Sequence, residues 1–195
     1  VELLAACENL SRLGIPLPMR HLAGSAGLFA ENGTHLDMVR TGIALYGGLP
    51  HPGYASRASL KPVMEVITRV AQVRKVTAGD GIGYGHTWRA PRDSRIAVLP
   101  IGYGQGYLRS LSNRGYTMIR GRLAPVVGTI SMDQTMIDVT AAGSVKPGDE
   151  VTLWGGTEEG APDVMELAER AGTIGYELLT RVGNTVPRTY IELFG

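Results

Sequence analysis

Apolar residues open the chain at helical spacing. Leu3, Leu4, Cys7, Leu10 and Leu13 share one face of VELLAACENLSRL, which predicts an amphipathic helix over residues 1–13. Gly14 and Pro16 break the pattern. Residues 17–23 (LPMRHLA) then read as a short buried strand running into the turn Gly24-Ser25-Ala26-Gly27. A weak helix is expected over 28–31, and residues 37–41 (DMVRT) form a second candidate strand. That strand stops at Gly42, ahead of a possible short helix over 43–46. Helix, strand, short helix, strand, helix is an α/β rhythm with no opening strand, so the chain is expected to begin inside a fold.

The texture changes after residues 50–58 (PHPGYASRA), whose Pro, Gly and Ser make a credible boundary. Two domains are therefore expected, an α/β part over 1–55 and a mostly-β part over 56–195. In the second, β-rich runs cover 63–76, 95–99, 116–119, 126–132, 136–139 and 150–154, separated by turns such as Lys146-Pro147-Gly148-Asp149. Only residues 162–171 read as helix there, with Val164, Leu167, Ala168 and Ala171 on the apolar side. No internal repeat or low-complexity tract interrupts the chain.

Composition narrows the function classes. The 195 residues are 44% hydrophobic, enough for a packed core, and 19 Lys plus Arg against 18 Asp plus Glu leave a formal charge of +1. No field of one sign is available to gather nucleic acid or anionic lipid, and no apolar run approaches the roughly 20 residues that span a bilayer. The single cysteine, Cys7, cannot close an intrachain disulfide, which fits a reducing compartment and makes the cytoplasm the expected location. The four histidines show no metal-ligand spacing, and neither the Gly-x-Ser-x-Gly elbow nor the Walker pattern occurs.

Three groups of residues can carry chemistry. Ser25 lies in a glycine-bounded turn and Gly42-Ile43 opens a short helix. Backbone amides at a helix start beside a hydroxyl suit a phosphate, although the same glycines also serve simply as tight turns. If the two early strands close a (β/α)₈ barrel, this cradle follows strands seven and eight, where that fold often binds phosphate. Arg40, one or two residues away in an apolar strand, is expected to be buried and to need a partner, a carboxylate in the structural reading. In Gly83-Tyr84-Gly85-His86 the flanking glycines leave the phenol open. Tyr84 is then either an ordinary loop aromatic or a proton carrier, the latter requiring cationic neighbours to lower a pKa of about 10. The glycine-rich loop 101–107 lacks the strand-to-helix setting of a nucleotide-binding turn, and in Ser131-Met132-Asp133-Gln134 alternation alone makes Met132 a core residue.

In order along the chain, His21-Leu22-Ala23-Gly24-Ser25-Ala26, Val39-Arg40-Thr41-Gly42-Ile43-Ala44-Leu45-Tyr46-Gly47, Gly83-Tyr84-Gly85, Pro100-Ile101-Gly102-Tyr103, Ser131-Met132-Asp133-Gln134 and Val186-Pro187-Arg188 are together far more specific than any one stretch. The set is similar to alanine racemase. That resemblance implies the end of the pyridoxal-phosphate-binding (β/α)₈ barrel of a fold-type III enzyme, followed by a β-rich, barrel-like C-terminal domain. It implies pyridoxal 5'-phosphate as cofactor and interconversion of L- and D-alanine by two acid/base groups on opposite faces of Cα. Tyr84 matches the family tyrosine on one face. The family lysine on the other matches none of Lys61, Lys75 and Lys146, so the chain taken alone is expected to be inactive. By the same resemblance Arg40 faces the pyridine nitrogen and, holding its own proton, keeps the ring neutral. Ser25 and the amides of Gly42 and Ile43 match the phosphate contacts, Met132 falls where the substrate carboxylate is received, and Tyr103 matches a tyrosine at the entrance. A head-to-tail homodimer follows, with Tyr84 delivered to the other subunit's site. The pattern departs from the family at Gly24, at Gln105 and at Asn184, where a phosphate-touching tyrosine is common. A racemase of serine or of broader range, or a non-catalytic module derived from a racemase, is the alternative.

Overall fold

The computed structural model describes residues 2–30, 33–156, 158–183 and 185–191. It divides into two compact units, Val1–Lys61 and Pro62–Gly195.

The first unit follows the α/β rhythm with helix α1 (Glu2–Arg12), helix α2 (Ser25–Leu28) and a 3₁₀ turn at Ile43–Tyr46. The predicted helix over 28–31 starts three residues earlier, because the chain turns as soon as it leaves the first extended segment. The two expected strands lie side by side and parallel but pair only as a bridge, His21 with Met38. Backbone bonds flank it, Asp37 N–H to Arg20 C=O at 3.1 Å and Arg40 N–H to Ala23 C=O at 2.8 Å. A side-chain bolt secures one end. The Asp37 carboxylate accepts from Arg20 Nε, Nη2 and backbone N, each at 2.9 Å. Those bonds from Arg20 hold the Asp37 pKa down at about 2. Parallel neighbours joined through helical segments are the arrangement expected at the end of a (β/α)₈ barrel.

The second unit is antiparallel throughout. Strands β1 (Val66–Arg69), β9 (Glu150–Trp154), β6 (Tyr116–Ile119) and β7 (Arg122–Pro125) form one sheet in the order β1-β9-β6-β7. Strands β2 (Gln72–Val76), β5 (Ser94–Leu99) and β8 (Thr135–Asp138) form another in the order β2-β5-β8. A short hairpin, β3 (Gly81–Ile82) with β4 (Trp88–Arg89), carries the loop that contains Tyr84. The apolar run 63–76, read from sequence as one strand, is two strands in two sheets. At the junction Val70 N–H bonds Asp149 C=O while Ala71 N–H already bonds Val98 C=O. The expected strand at 126–132 is instead buried loop, with a single bridge from Val126 to Ile137 and a positive φ of 76° at Gly128. A strand precedes it at β7.

Helix α3 (Val164–Ala171) begins where Asp163 caps it, the carboxylate accepting from the amides of Met165 at 2.8 Å and Glu166 at 3.1 Å. A further helix unread from sequence, α4 (Gly175–Arg181), packs beside it. Leu167 and Leu178 from these helices join Leu99, Leu111, Ile137, Val151 and Leu153 in the core, where the rings of Tyr107 and Trp154 stack with centroids 6.1 Å apart.

Candidate active site

Each unit holds part of the sequence-predicted site. In the first, the parallel pairing of the segments around His21 and Met38 brings Gly24-Ser25 level with Thr41-Gly42. Ser25 is buried, and its Oγ accepts from Gly42 N–H at 2.9 Å and more weakly from Ala44 N–H at 3.4 Å. With those lone pairs engaged, the Ser25 hydroxyl proton remains to be donated, and the Ile43 N–H makes no hydrogen bond among the described residues. The turn thus offers donors and no acceptor charge, the chemistry an anion requires.

Arg40 departs from expectation. It is exposed in this chain rather than buried, and it pairs with no carboxylate among the described residues, its Nη2 only reaching Leu22 C=O at 3.5 Å. The nearby acid that could have taken it, Asp37, is held by Arg20. Its guanidinium donors are therefore available to a ligand. Asn184, at the departure noted in the sequence, lies outside the described residues.

In the second unit Tyr84 projects from the β3–β4 loop with 76% of its surface exposed. The loop doubles back sharply, with positive φ at Gly83 (71°), Gly85 (72°) and His86 (46°). His86 folds over the bare backbone of Gly81, where a Cβ would fall 2.5 Å from the imidazole Cγ. The buried Thr129 donates its hydroxyl to the Tyr84 carbonyl at 3.0 Å.

Tyr103 and Met132, separated in sequence, are brought together. Tyr103 N–H bonds Ser131 C=O at 3.1 Å and Gly104 N–H bonds Met132 C=O at 2.8 Å. Gln105 reinforces the contact, accepting from Gly102 N–H at 2.9 Å and donating to Asp133 Oδ1 at 3.0 Å. Both side chains are outward, Tyr103 42% and Met132 55% exposed, so alternation misplaced Met132. Residues 131–134 form a turn, not a strand, and the Met132 N–H has no partner among the described residues. Thr129, Thr87 and Asn113, which surround the Tyr84 loop, had no signal in the sequence beyond being polar. No group of three or more potential metal ligands, and no helix long and apolar enough to cross a membrane, occurs among the described residues.

The family model "Alanine racemase, C-terminal domain" matches residues 63–190, and "Alanine racemase, N-terminal domain" matches residues 2–50. Alanine racemase of Desulfovibrio desulfuricans is 43% identical over 188 residues, which cover 96% of this chain and 50% of that protein. Alanine racemase of Geobacter sulfurreducens is 44% identical over 173 residues, 88% of this chain and 45% of that protein. Among solved structures, alanine racemase from Bacillus anthracis with bound L-Ala-P superposes with a TM-score of 0.88 at 34% identity, covering 98% of this chain and 49% of that one. The enzyme from Bartonella henselae with covalently bound pyridoxal phosphate gives 0.83 at 35% identity, covering 96% and 51%. The chain spans about half the length of the relatives it matches. The two family models together match residues 2–50 and 63–190, and the chain belongs to the alanine racemase family.

Proposed function

We propose that the whole protein containing this chain is a pyridoxal-phosphate-dependent alanine racemase that interconverts L- and D-alanine. In this reading residues 1–55 complete its barrel, residues 56–195 are its C-terminal domain, and it works in the cytoplasm. The observation that carries the reading is Tyr84, an outward phenol on a loop anchored from behind by Thr129, within a chain whose relatives are named for this reaction.

The donor set fits the cofactor. The Ser25 hydroxyl, oriented by the Gly42 amide, and the Ile43 amide would hold the phosphate, and Arg40, whose guanidinium is exposed, would donate to the pyridine nitrogen. The cofactor, when bound, supplies the electron sink that makes the substrate Cα–H acidic. Because an arginine cannot release its proton near neutrality, Arg40 leaves that sink moderate, which favours returning a proton to Cα over side reactions. The Met132 amide, without a partner among the described residues, receives the substrate carboxylate, and Tyr103 beside it narrows the entrance. Tyr84 takes or returns the Cα proton on one face. The second acid/base group, a lysine on the opposite face, belongs to the part of the whole protein outside this sequence. Tyr84 points away from its own unit, which suits delivery into the site of a second subunit in a head-to-tail homodimer.

The test is Tyr84→Phe in the whole protein. Loss of one general acid/base group should lower alanine racemisation by about 10²–10⁴-fold. The visible absorbance of the bound cofactor should be retained. Racemisation within twofold of the parent would refute the assignment.

A further inference from the structure

We infer that Thr129 is a positioning residue for Tyr84, acting at the end of a directed hydrogen-bond relay that runs from Asn113 through Thr87; the inference rests on the racemase reading above.

The Tyr84 side chain is mostly exposed in this chain, so the point from which the phenol projects is set by its backbone. That backbone is not self-supporting. Positive φ at His86, a non-glycine residue, is an uncommon conformation, and the bond that closes the loop on itself is a 3.2 Å contact from His86 N–H to Gly83 C=O. Conformations of this kind persist when their surroundings over-determine them. Here the surroundings are the segment 128–129. Gly83 abuts it so closely that a Cβ would lie 3.1 Å from Thr129 N, and Gly128 passes Ile82 with room for no side chain, an added Cβ falling 2.7 Å from Ile82 O.

The direction of the relay follows from donor and acceptor chemistry. The Tyr84 carbonyl can only accept, so the single hydroxyl proton of Thr129 points to it. The contact of 3.1 Å between the Thr129 and Thr87 hydroxyls must then take its proton from Thr87. Thr87 in turn accepts from Asn113 Nδ2 at 3.1 Å, and Asn113 Oδ1 accepts from Gly128 N–H at 2.6 Å. Asn113 thereby holds both Thr87 and the residue before Thr129. Donors in series polarise one another, so the carbonyl that fixes the Tyr84 backbone is bound by the last and most polarised of them. Of the relay residues Thr129 alone is buried, at 7% exposure, and water cannot readily take its place. Thr129 does not reach the reacting atoms. It determines where the phenol of Tyr84 stands when the substrate arrives.

The experiment uses the whole protein with its cofactor. Thr129→Val keeps the shape and removes the hydroxyl. Because displacement of a catalytic group by 1 Å costs up to about 10²-fold, a partial loosening should lower kcat by about tenfold and leave KM within about twofold. The primary isotope effect of Cα-deuterated alanine should rise in the direction in which Tyr84 removes the proton, and amide hydrogen exchange over 84–87 should accelerate. Thr129→Ser, which keeps the hydroxyl, should restore all three. Thr87→Val, which cuts the relay one step back, should show the same pattern at smaller size and should not add fully to Thr129→Val. If Thr129→Val does not accumulate as folded protein, Thr87→Val and Thr129→Ser decide the matter by the same readouts. Parental kcat and exchange in Thr129→Val, or a Thr129→Ser as impaired as Thr129→Val, would overturn the inference. Tyr84→Phe measured alongside separates the two claims. A crippled Tyr84→Phe with a silent Thr129→Val removes the relay and keeps Tyr84 as the acid/base group, whereas an active Tyr84→Phe removes that assignment while exchange still reports on the loop.

Discussion

Replacing Gly102 by alanine is the most demanding test of the contact between Tyr103 and Met132. The backbone itself does not require glycine, since φ −147° and ψ −156° are open to any residue. Space is what is missing. An alanine Cβ would stand 2.1 Å from Ser131 O and 2.5 Å from Met132 O, both backbone atoms, so the two turns must part by about 1 Å to reach van der Waals contact. That movement stretches the bonds from Tyr103 N–H to Ser131 C=O and from Gly104 N–H to Met132 C=O, each contributing about 1 kcal/mol. Overpacking adds about 1–3 kcal/mol, and the stiffer unfolded chain gives back roughly 0.5. The expected destabilisation is about 3 kcal/mol. Gly172→Ala is the matched control. There φ is 73° and ψ 33°, with no atom within 4 Å of an added Cβ, so only the left-handed backbone costs, about 1 kcal/mol. Urea unfolding of the whole protein, followed by the fluorescence of the buried Trp154, measures both. A Gly102→Ala midpoint equal to or above that of Gly172→Ala would refute the steric argument.

Two further outcomes follow from the fold. Asp163→Ala removes the carboxylate that caps α3 and should cost about 1 kcal/mol in the same urea assay, with Asp163→Asn or Asp163→Ser recovering most of it. Asp37 has a folded pKa of about 2, below its ordinary value of 3.8, so the folded state binds its proton more weakly than the unfolded state does. Its stabilising contribution is complete above about pH 4 and is lost as the pH falls through 2, a window that a carboxyl chemical-shift titration locates. A midpoint at the ordinary value would contradict the bonds from Arg20.

Local pattern carried the sequence reading wherever the determinant was local. The apolar spacing in α1 and the Gly42 start of the turn Ile43–Tyr46 survive into the structure because neither depends on a distant partner. Pattern failed where pairing decides. Nothing between Val63 and Val76 announces that β1 will join β9 while β2 joins β5. Nor does the apolar stretch 126–132 reveal that Gly128 turns it out of the ladder and leaves Val127 and Ile130 buried without one. Helix α4 escaped because it starts at a glycine with no side-chain cap and runs only seven residues. The residues of the site were legible as a set through their order along the chain. Their supports were not, because a threonine that holds a carbonyl from 45 positions away leaves no periodicity to read.

The register of β1 also shapes how the chain acquires its structure during synthesis. Arg69 pairs with Glu150, 81 residues later, whereas the β2–β5–β8 sheet is complete once Asp138 has emerged. At roughly 5–20 residues per second, β1 leaves the ribosome on the order of ten seconds before its partner exists. During that interval the buried side of Val66 has no sheet to cover it, while its neighbours downstream are already assembling. Strand β9 therefore closes a sheet whose first strand has been waiting, and translation speed through residues 138–154 sets the length of that wait.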